Sequence, residues 1–180
     1  MDTHLDIDRS VAAALGFPKP QYMAVERERR WLCDIVPRAL IRQTLSIVDL
    51  YVTGTRLRLR EMRPVAGGPG QLRLSRKADV DAQTRLITSI YLPEEEFAVL
   101  AATLPGARIT KIRHRLHAPP GVLLSVDEFQ GDLTGLLLVE AELETAEALA
   151  AFATPDFATR EVTGEPRYTG GSLVQNGLPR

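Results

Sequence analysis

At 180 residues, 44% of them hydrophobic, the chain is long enough for one sizeable core and too apolar to be disordered. Its formal net charge of −1 supplies no global field toward nucleic acid or an anionic membrane, so any polyanion site must be a local gathering of cations. The single cysteine, Cys33, excludes an intrachain disulfide and a cysteine-based zinc cluster; with no apolar run of membrane-spanning length and no signal-peptide core, the expected location is cytoplasmic.

Residues 1–20 read as an N-terminal extension and 21–180 as a single domain. Within the extension, residues 8–15 suit a short helix, closed by Gly16 and the Pro18/Pro20 pair. Residues 22–33 read as a strand carrying the run Glu26-Arg27-Glu28-Arg29-Arg30. Leu57-Arg58-Leu59-Arg60 and Leu72-Arg73-Leu74-Ser75 alternate strictly around a Gly/Pro turn at 65–70. Residues 84–92 are β-branched and apolar, and Pro93-Glu94-Glu95-Glu96 opens a helix ending near Pro105-Gly106. Residues 109–116 alternate again, 122–129 and 136–143 read as strands, and 145–152 as a helix capped by Thr145. The tail, 160–180, reads as irregular. About eight short strands with few helices leave a sandwich or a closed barrel open, and the charge pattern favours closure.

That pattern comes from side chains alternating across each strand. One face gathers Glu26, Glu28 and Arg30, then Arg56, Arg58 and Arg60, then Arg73, Ser75 and Lys77. Lys111, Arg113 and Arg115 follow, with Asp127, Glu140 and Glu142 on the last two strands. For any one strand, a solvated face is the plainer explanation. For the set, rows of nearly pure arginine or glutamate would repel across a sheet unless something of opposite charge sat between them. Arginine forks suit phosphate oxygens, and carboxylates at strand spacing suit a hard cation such as Mg²⁺ or Mn²⁺. Together they describe a site that grips a phosphate chain and polarises one end of it.

Several motifs bring a family to mind. Glu26-Arg27-Glu28-Arg29-Arg30 resembles the ExExK signature of the CYTH domains, or triphosphate tunnel metalloenzymes, with Arg30 where lysine is usual. Arg58 and Arg60 resemble the RxR strand, Lys77 the central lysine and Lys111-Ile112-Arg113 the KxR strand of that family. Val126-Asp127-Glu128-Phe129-Gln130-Gly131 is similar to its D-x-F-x-G segment, Glu140-Ala141-Glu142 to its ExE strand, and Glu161-Val162-Thr163 with Arg167-Tyr168 to its closing element. The resemblance runs from about residue 22 to the C-terminus.

It implies a mainly β, α+β fold: an eight-stranded antiparallel closed barrel with a few flanking helices and a charged tunnel. It further implies Mg²⁺ or Mn²⁺ held by Glu26, Glu28, Asp127, Glu140 and Glu142, and a triphosphate gripped by Arg58, Arg60, Lys77, Lys111 and Arg113. Arg30 would stand at the metal–phosphate junction, and Tyr51 matches a family tyrosine associated with proton transfer, for which packing is the plainer role. Relatives hydrolyse inorganic tripolyphosphate, thiamine triphosphate or RNA 5′-triphosphates, and some are class IV adenylate cyclases. Tripolyphosphate hydrolysis ranks first here, a non-catalytic or weakly active binder of polyphosphate or nucleotide second, and a cyclase third.

The partner implied is a small phosphorylated substrate, with no membrane or strong nucleic-acid signal and a homodimer left open. Two departures stand out: an Arg30 guanidinium cannot accept a proton, and Ile87 and Ser89 occupy positions where active relatives often carry glutamate. His114 and His117 read as ordinary surface histidines. Arg56, Arg115 and Glu144 read as edge residues. Arg167 is divided between a tunnel role and a surface ion pair.

Overall fold

A computed structural model of the chain describes residues 7–17 and 19–179. Of the expected extension, residues 1–20, positions 1–6 and 18 lie outside them. Nine strands form one sheet in chain order: β1 (Ala24–Cys33), β2 (Ile41–Val52), β3 (Leu57–Pro64), β4 (Gln71–Asp79), β5 (Thr84–Tyr91), β6 (Gly106–Leu116), β7 (Val122–Phe129), β8 (Leu137–Leu143) and β9 (Ala158–Glu161). The spatial order is β5-β4-β3-β2-β6-β7-β8-β1-β9, and a further pairing of β5 with β1 closes the first eight into an antiparallel barrel.

Closure depends on β1, which changes partner along one edge. Ala24 to Arg27 pair with β5, whereas Trp31 to Cys33 pair with β9; the opposite edge, from Glu28 to Leu32, pairs with β8. In the gap the Arg30 amide donates to Thr163 Oγ1 at 3.0 Å and its carbonyl accepts from the Val162 amide at 2.8 Å. No backbone group of that residue is left bare, as a buried strand requires.

Two parts of the chain depart from the sequence expectation. Sequence alternation does not single out the longest strand, β2, because Leu45, Ile47, Val48, Leu50 and Val52 place apolar residues on both of its faces and erase the period-2 signal. The tail read as irregular contains β9 and a helix, α4 (Gly170–Asn176), capped by Thr169. β9 is only four residues long and exists because β1 leaves an edge to pair with.

The other helices follow their local signals. α1 (Arg9–Ala14) begins at Asp8, whose carboxylate accepts from the Ser10 amide at 2.6 Å. α2 (Glu94–Thr103) starts after Pro93 with three acids in its first turn, and α3 (Ala146–Ala151) is capped by Thr145.

Hydrophobic clusters lie mostly outside or at the ends of the barrel. Ala12 and Phe17 pack with Ala78 and Leu86. Trp31, Val126, Val139 and Ala141 are covered by Phe152 and Phe157. Ile109, Phe129 and Leu138 are covered by Leu133, Val162, Tyr168 and Leu173, so the C-terminal segment closes over that part of the barrel. His114 is a correction to the surface assignment: it is buried, with Nε2 3.0 Å from Glu128 Oε2. His117 is exposed.

Candidate active site in the barrel interior

Residues paired across antiparallel strands share a face, so the registers fix what points inward. Glu28 lies opposite Glu142, and Arg30 opposite Glu140. Glu26 lies opposite Arg85, Lys77 opposite Ile87, Arg60 opposite Asp49 and Arg73, and Arg113 opposite Asp127. These rows surround one cavity of about 1310 Å³. Eleven cationic side chains line it against six carboxylates. A chain that is almost neutral overall therefore carries a strongly positive interior, and low-dielectric walls concentrate that field.

The charges are sorted by wall. Glu26, Glu28, Glu140 and Glu142 come from β1 and β8; most of the cations come from β3, β4, β5 and β6. Ion pairs cross between them: Glu26 with Lys77, Glu28 with Arg85, and Glu140 with Arg113. Arg30 Nε lies 3.4 Å from Glu28 Oε1, while its Nη1 donates to the Tyr168 carbonyl at 3.1 Å. Asp127, 1% exposed, holds Arg113 through two bonds of 2.6 Å and also pairs with Lys111. Asp49 holds Arg60 in the same two-pronged way.

What is left over is informative. The Nε and Nη2 of Arg58 and the Nε of Arg73 are buried with no hydrogen-bond partner among the described residues. Arg58 Nε has Asp49 Oδ1 at 3.6 Å, and both residues belong to the lining of a strongly positive cavity, a setting that favours an anion. On the acidic wall, burial and then Glu26, with Glu28 and Glu140, push the Glu142 carboxyl up to about 7 against the pull of Lys77. Glu140 goes the other way. Burial would raise it, but Arg113, Lys111 and Arg30 hold it well below the usual carboxylate range. Burial lowers Lys77 and raises Tyr51, so the phenol keeps its proton.

The residues expected from sequence fall as follows. Glu26, Glu28, Glu140, Glu142, Arg30, Arg58, Arg60, Lys77, Lys111, Arg113 and Tyr51 all line the cavity. Asp127 stands behind them, engaged by Lys111 and Arg113. Arg56 and Arg115 also line it, as do Ile87 and Ser89. Arg167 pairs with Glu165 at 2.7 Å on the surface.

Sequence reasoning missed four charged residues of the lining, Arg42, Asp49, Asp79 and Arg85. Asp49 sits in a strand whose alternation is masked, yet a lone carboxylate inside the apolar stretch 45–52 was a usable signal. Arg85 shares the inward row of Ile87 and Ser89 and bridges Glu28 to Asp79, with its Nε 2.7 Å from Asp79 Oδ1.

Comparison with known proteins points the same way. The chain is 43% identical over 68 residues to the inorganic triphosphatase of Acetivibrio thermocellus and 34% identical over 85 residues to that of Nitrosomonas europaea. The matched segments cover 42% and 56% of those proteins, so the chain spans about half the length of the curated relatives it matches. The crystal structure of the inorganic triphosphatase NE1496 superposes with a TM-score of 0.56 at 26% identity, over 86% of this chain and 97% of the other. The chain therefore shares the closed barrel of that inorganic triphosphatase structure. Its barrel is shared by the PH1819 protein of Pyrococcus horikoshii, with a TM-score of 0.55 at 20% identity over 69% of this chain and 82% of that one, a likeness of fold alone. No family model matches the sequence.

Proposed function

We propose that this tunnel domain hydrolyses a triphosphate, inorganic tripolyphosphate first among candidates, with a divalent cation, Mg²⁺ or Mn²⁺. The observation that carries the reading is the sorting of charge in one enclosed space: a glutamate wall on β1 and β8 facing arginine and lysine walls on β3 to β6. A small phosphorylated substrate fits a cavity of this size, and the relatives named inorganic triphosphatase support the choice.

The donor chemistry fits a hard cation. Glu26, Glu28, Glu140 and Glu142 offer carboxylate oxygens, and burial, followed by the neighbouring acids, raises the Glu142 carboxyl, a cost that a positive charge among them would relieve. Among the described residues, no three His, Cys, Asp or Glu side chains are gathered as a metal group, because three of these glutamates are turned to cations. When bound, a divalent ion supplies Lewis-acid neutralisation of phosphoryl oxygens.

The chain's own residues do the remaining work. Arg58, Arg60, Lys77, Lys111 and Arg113, all on the cavity lining, bind and align the phosphates. Asp49 and Asp127 fix the planes of Arg60 and Arg113, so the forks are pre-aimed. Arg30, tied to the Tyr168 carbonyl, presents charge beside Glu28 but takes no proton. Tyr51, kept as a phenol, donates to a phosphate oxygen or steadies Arg58. The alignment places the scissile phosphoryl group for attack by water, and the surrounding cations stabilise charge as it develops.

Phosphate release from tripolyphosphate, dependent on Mg²⁺ or Mn²⁺ and lost in Glu28→Gln, is the expected result; equal rates in wild type and variant refute the reading. Ile87 and Ser89, neutral on the inward face of β5, favour a second reading, a binder without turnover. Calorimetric binding of tripolyphosphate with no product over hours selects it.

A further inference from the structure

The barrel closes on its shortest pairing. Residues 24–27 of β1 meet 84–87 of β5, extended by one bond from the Glu28 amide to the Gln83 carbonyl at 2.9 Å. Each of the other pairings that close the barrel runs over a longer register. This seam is also where an acidic wall meets a cationic one, since Glu26 reaches Lys77 across it and Glu28 reaches Arg85. The spacing of those two walls is thus set where the sheet is least held by its own backbone.

Outside the barrel, the chain ahead of β1 lies across this seam. Val25, Leu86 and Ala78 stand opposite one another in register across β1, β5 and β4, and they pack with Ala12 and Phe17. Glu26 and Arg85 are the next pair in that register, and Lys77 precedes Ala78, so the apolar row directly backs the charged residues. After α1, Gly16 adopts φ +84°. Its amide donates to the Ala13 carbonyl at 2.9 Å and the Phe17 amide to the Ala12 carbonyl at 2.8 Å, which folds Phe17 back beside Ala12. Arg76, on the outward face of β4, pins this turn: Nη2 donates to the Leu15 carbonyl at 2.9 Å, and the guanidinium lies 4.7 Å from the centre of the Phe17 ring. Thr88 Oγ1 of β5 donates to the Tyr22 carbonyl at 2.6 Å. None of the described residues before Ala24 lines the cavity.

We infer that α1 and Phe17 form a strap that sets the separation of the two charged walls from outside the barrel, with Phe17 and Arg76 as positioning residues for Glu26, Glu28, Lys77 and Arg85. The inference rests on the triphosphatase reading for what those walls bind. Apolar burial of Phe17 and Ala12 against Leu86 ties β1 to β5 through side chains where few backbone bonds do so. A short pairing opens locally at less cost than a long one, so removing the cover frees this edge before any other.

The test uses Phe17→Ala and Phe17→Leu in the full chain, read by hydrogen exchange and by calorimetric affinity for imidotriphosphate in Mg²⁺. In Phe17→Ala the amides of residues 24–28 and 84–87 should exchange faster by about tenfold or more while those of β2 keep their rates. Imidotriphosphate should bind about tenfold more weakly. Phe17→Leu, which keeps the apolar bulk, should retain most of both. Arg76→Gln should move both readouts in the same direction by less, and it decides the matter if Phe17→Ala does not fold. Phe157→Ala, which thins the cover over Val126 and Val139 on β7 and β8, should leave the seam and the affinity as in wild type. Unchanged seam exchange in the strap variants, acceleration spread evenly over the barrel, or faster seam exchange with unchanged affinity overturns the inference. A wild type that binds imidotriphosphate but releases no phosphate from tripolyphosphate overturns the triphosphatase reading alone; a wild type that does not bind overturns both.

Discussion

Asp49 on β2 and Arg60 on β3 face each other across the barrel wall, joined by Nε–Oδ1 at 2.6 Å and Nη2–Oδ2 at 2.7 Å, with the carboxylate 1% exposed. Arg58 Nε stands 3.6 Å from the same carboxylate. One buried acid thus steadies two cations, and its loss removes the counter-charge nearest to both. Asp49→Asn, which keeps the shape, should destabilise the fold by about 3–5 kcal/mol, read from urea unfolding. A change below the error of the measurement would remove Asp49 from this role.

The same pair sets a pH dependence. Burial raises the Asp49 carboxyl, but Arg60 and Arg58 prevail and hold it far below the usual range in the folded protein. A depressed folded value means stability that is fully present above the unfolded pKa of about 3.9 and lost as pH falls below it. Urea midpoints should therefore drop as pH is lowered through about 4, and the drop should be shallower in Asp49→Asn. Parallel curves would contradict the assignment.

Glu142 titrates in the opposite sense. Its folded value, about 7, lies above the unfolded one, so the folded protein holds a proton that the unfolded chain releases. Ionisation of this group costs stability as pH rises from about 4.3 to that value. In the presence of EDTA, the melting-temperature advantage of Glu142→Gln over wild type should be larger at pH 8 than at pH 5. Mg²⁺ or Mn²⁺ should remove that advantage. An advantage independent of pH would show that the acidic wall is not under strain.

Close approach of backbone to Tyr51 gives a packing prediction. A Cβ on Gly170 would fall 1.9 Å from the Tyr51 oxygen and 2.8 Å from Cζ. Gly170→Ala should lower stability by about 1–3 kcal/mol, as overpacking does, and Tyr51→Phe in the same chain should recover part of it. Additive losses in the double variant would mean that the two residues do not meet.

Arg58 lines the cavity, and two of its guanidinium nitrogens make no hydrogen bond among the described residues. Arg58→Ala should weaken binding of tripolyphosphate by about 10- to 100-fold, the worth of hydrogen bonds to a charged group. Binding by wild type should also weaken as salt is raised. Unchanged affinity in the variant would place the anion elsewhere.

Much of this was legible in the chain itself. Strict alternation in Leu57-Arg58-Leu59-Arg60 and in residues 109–116 assigns faces from local geometry alone, because side chains on a strand point to opposite sides in turn. The helix starts at Pro93 and Thr145 are equally local. Glu26, Glu28 and Arg30 share a side whatever the strand pairs with. Local order therefore gives the composition of each row, and the rows contain nearly every charged group of the site.

Tertiary structure decided which rows meet. β2 shows no clean alternation because Leu45 and Ile47 fill the barrel interior while Val48 and Leu50 lie on its other face, so burial on both sides hides the strand and Asp49 with it. β9 exists only where β5 leaves the edge of β1, a consequence of closure that no four-residue segment encodes. The partners of Glu26, Glu28 and Glu140 come from strands tens of residues away, and electrostatic pairing depends on distance in space rather than along the chain. Sequence fixes which charges each strand offers; only closing the sheet decides which charge each one answers.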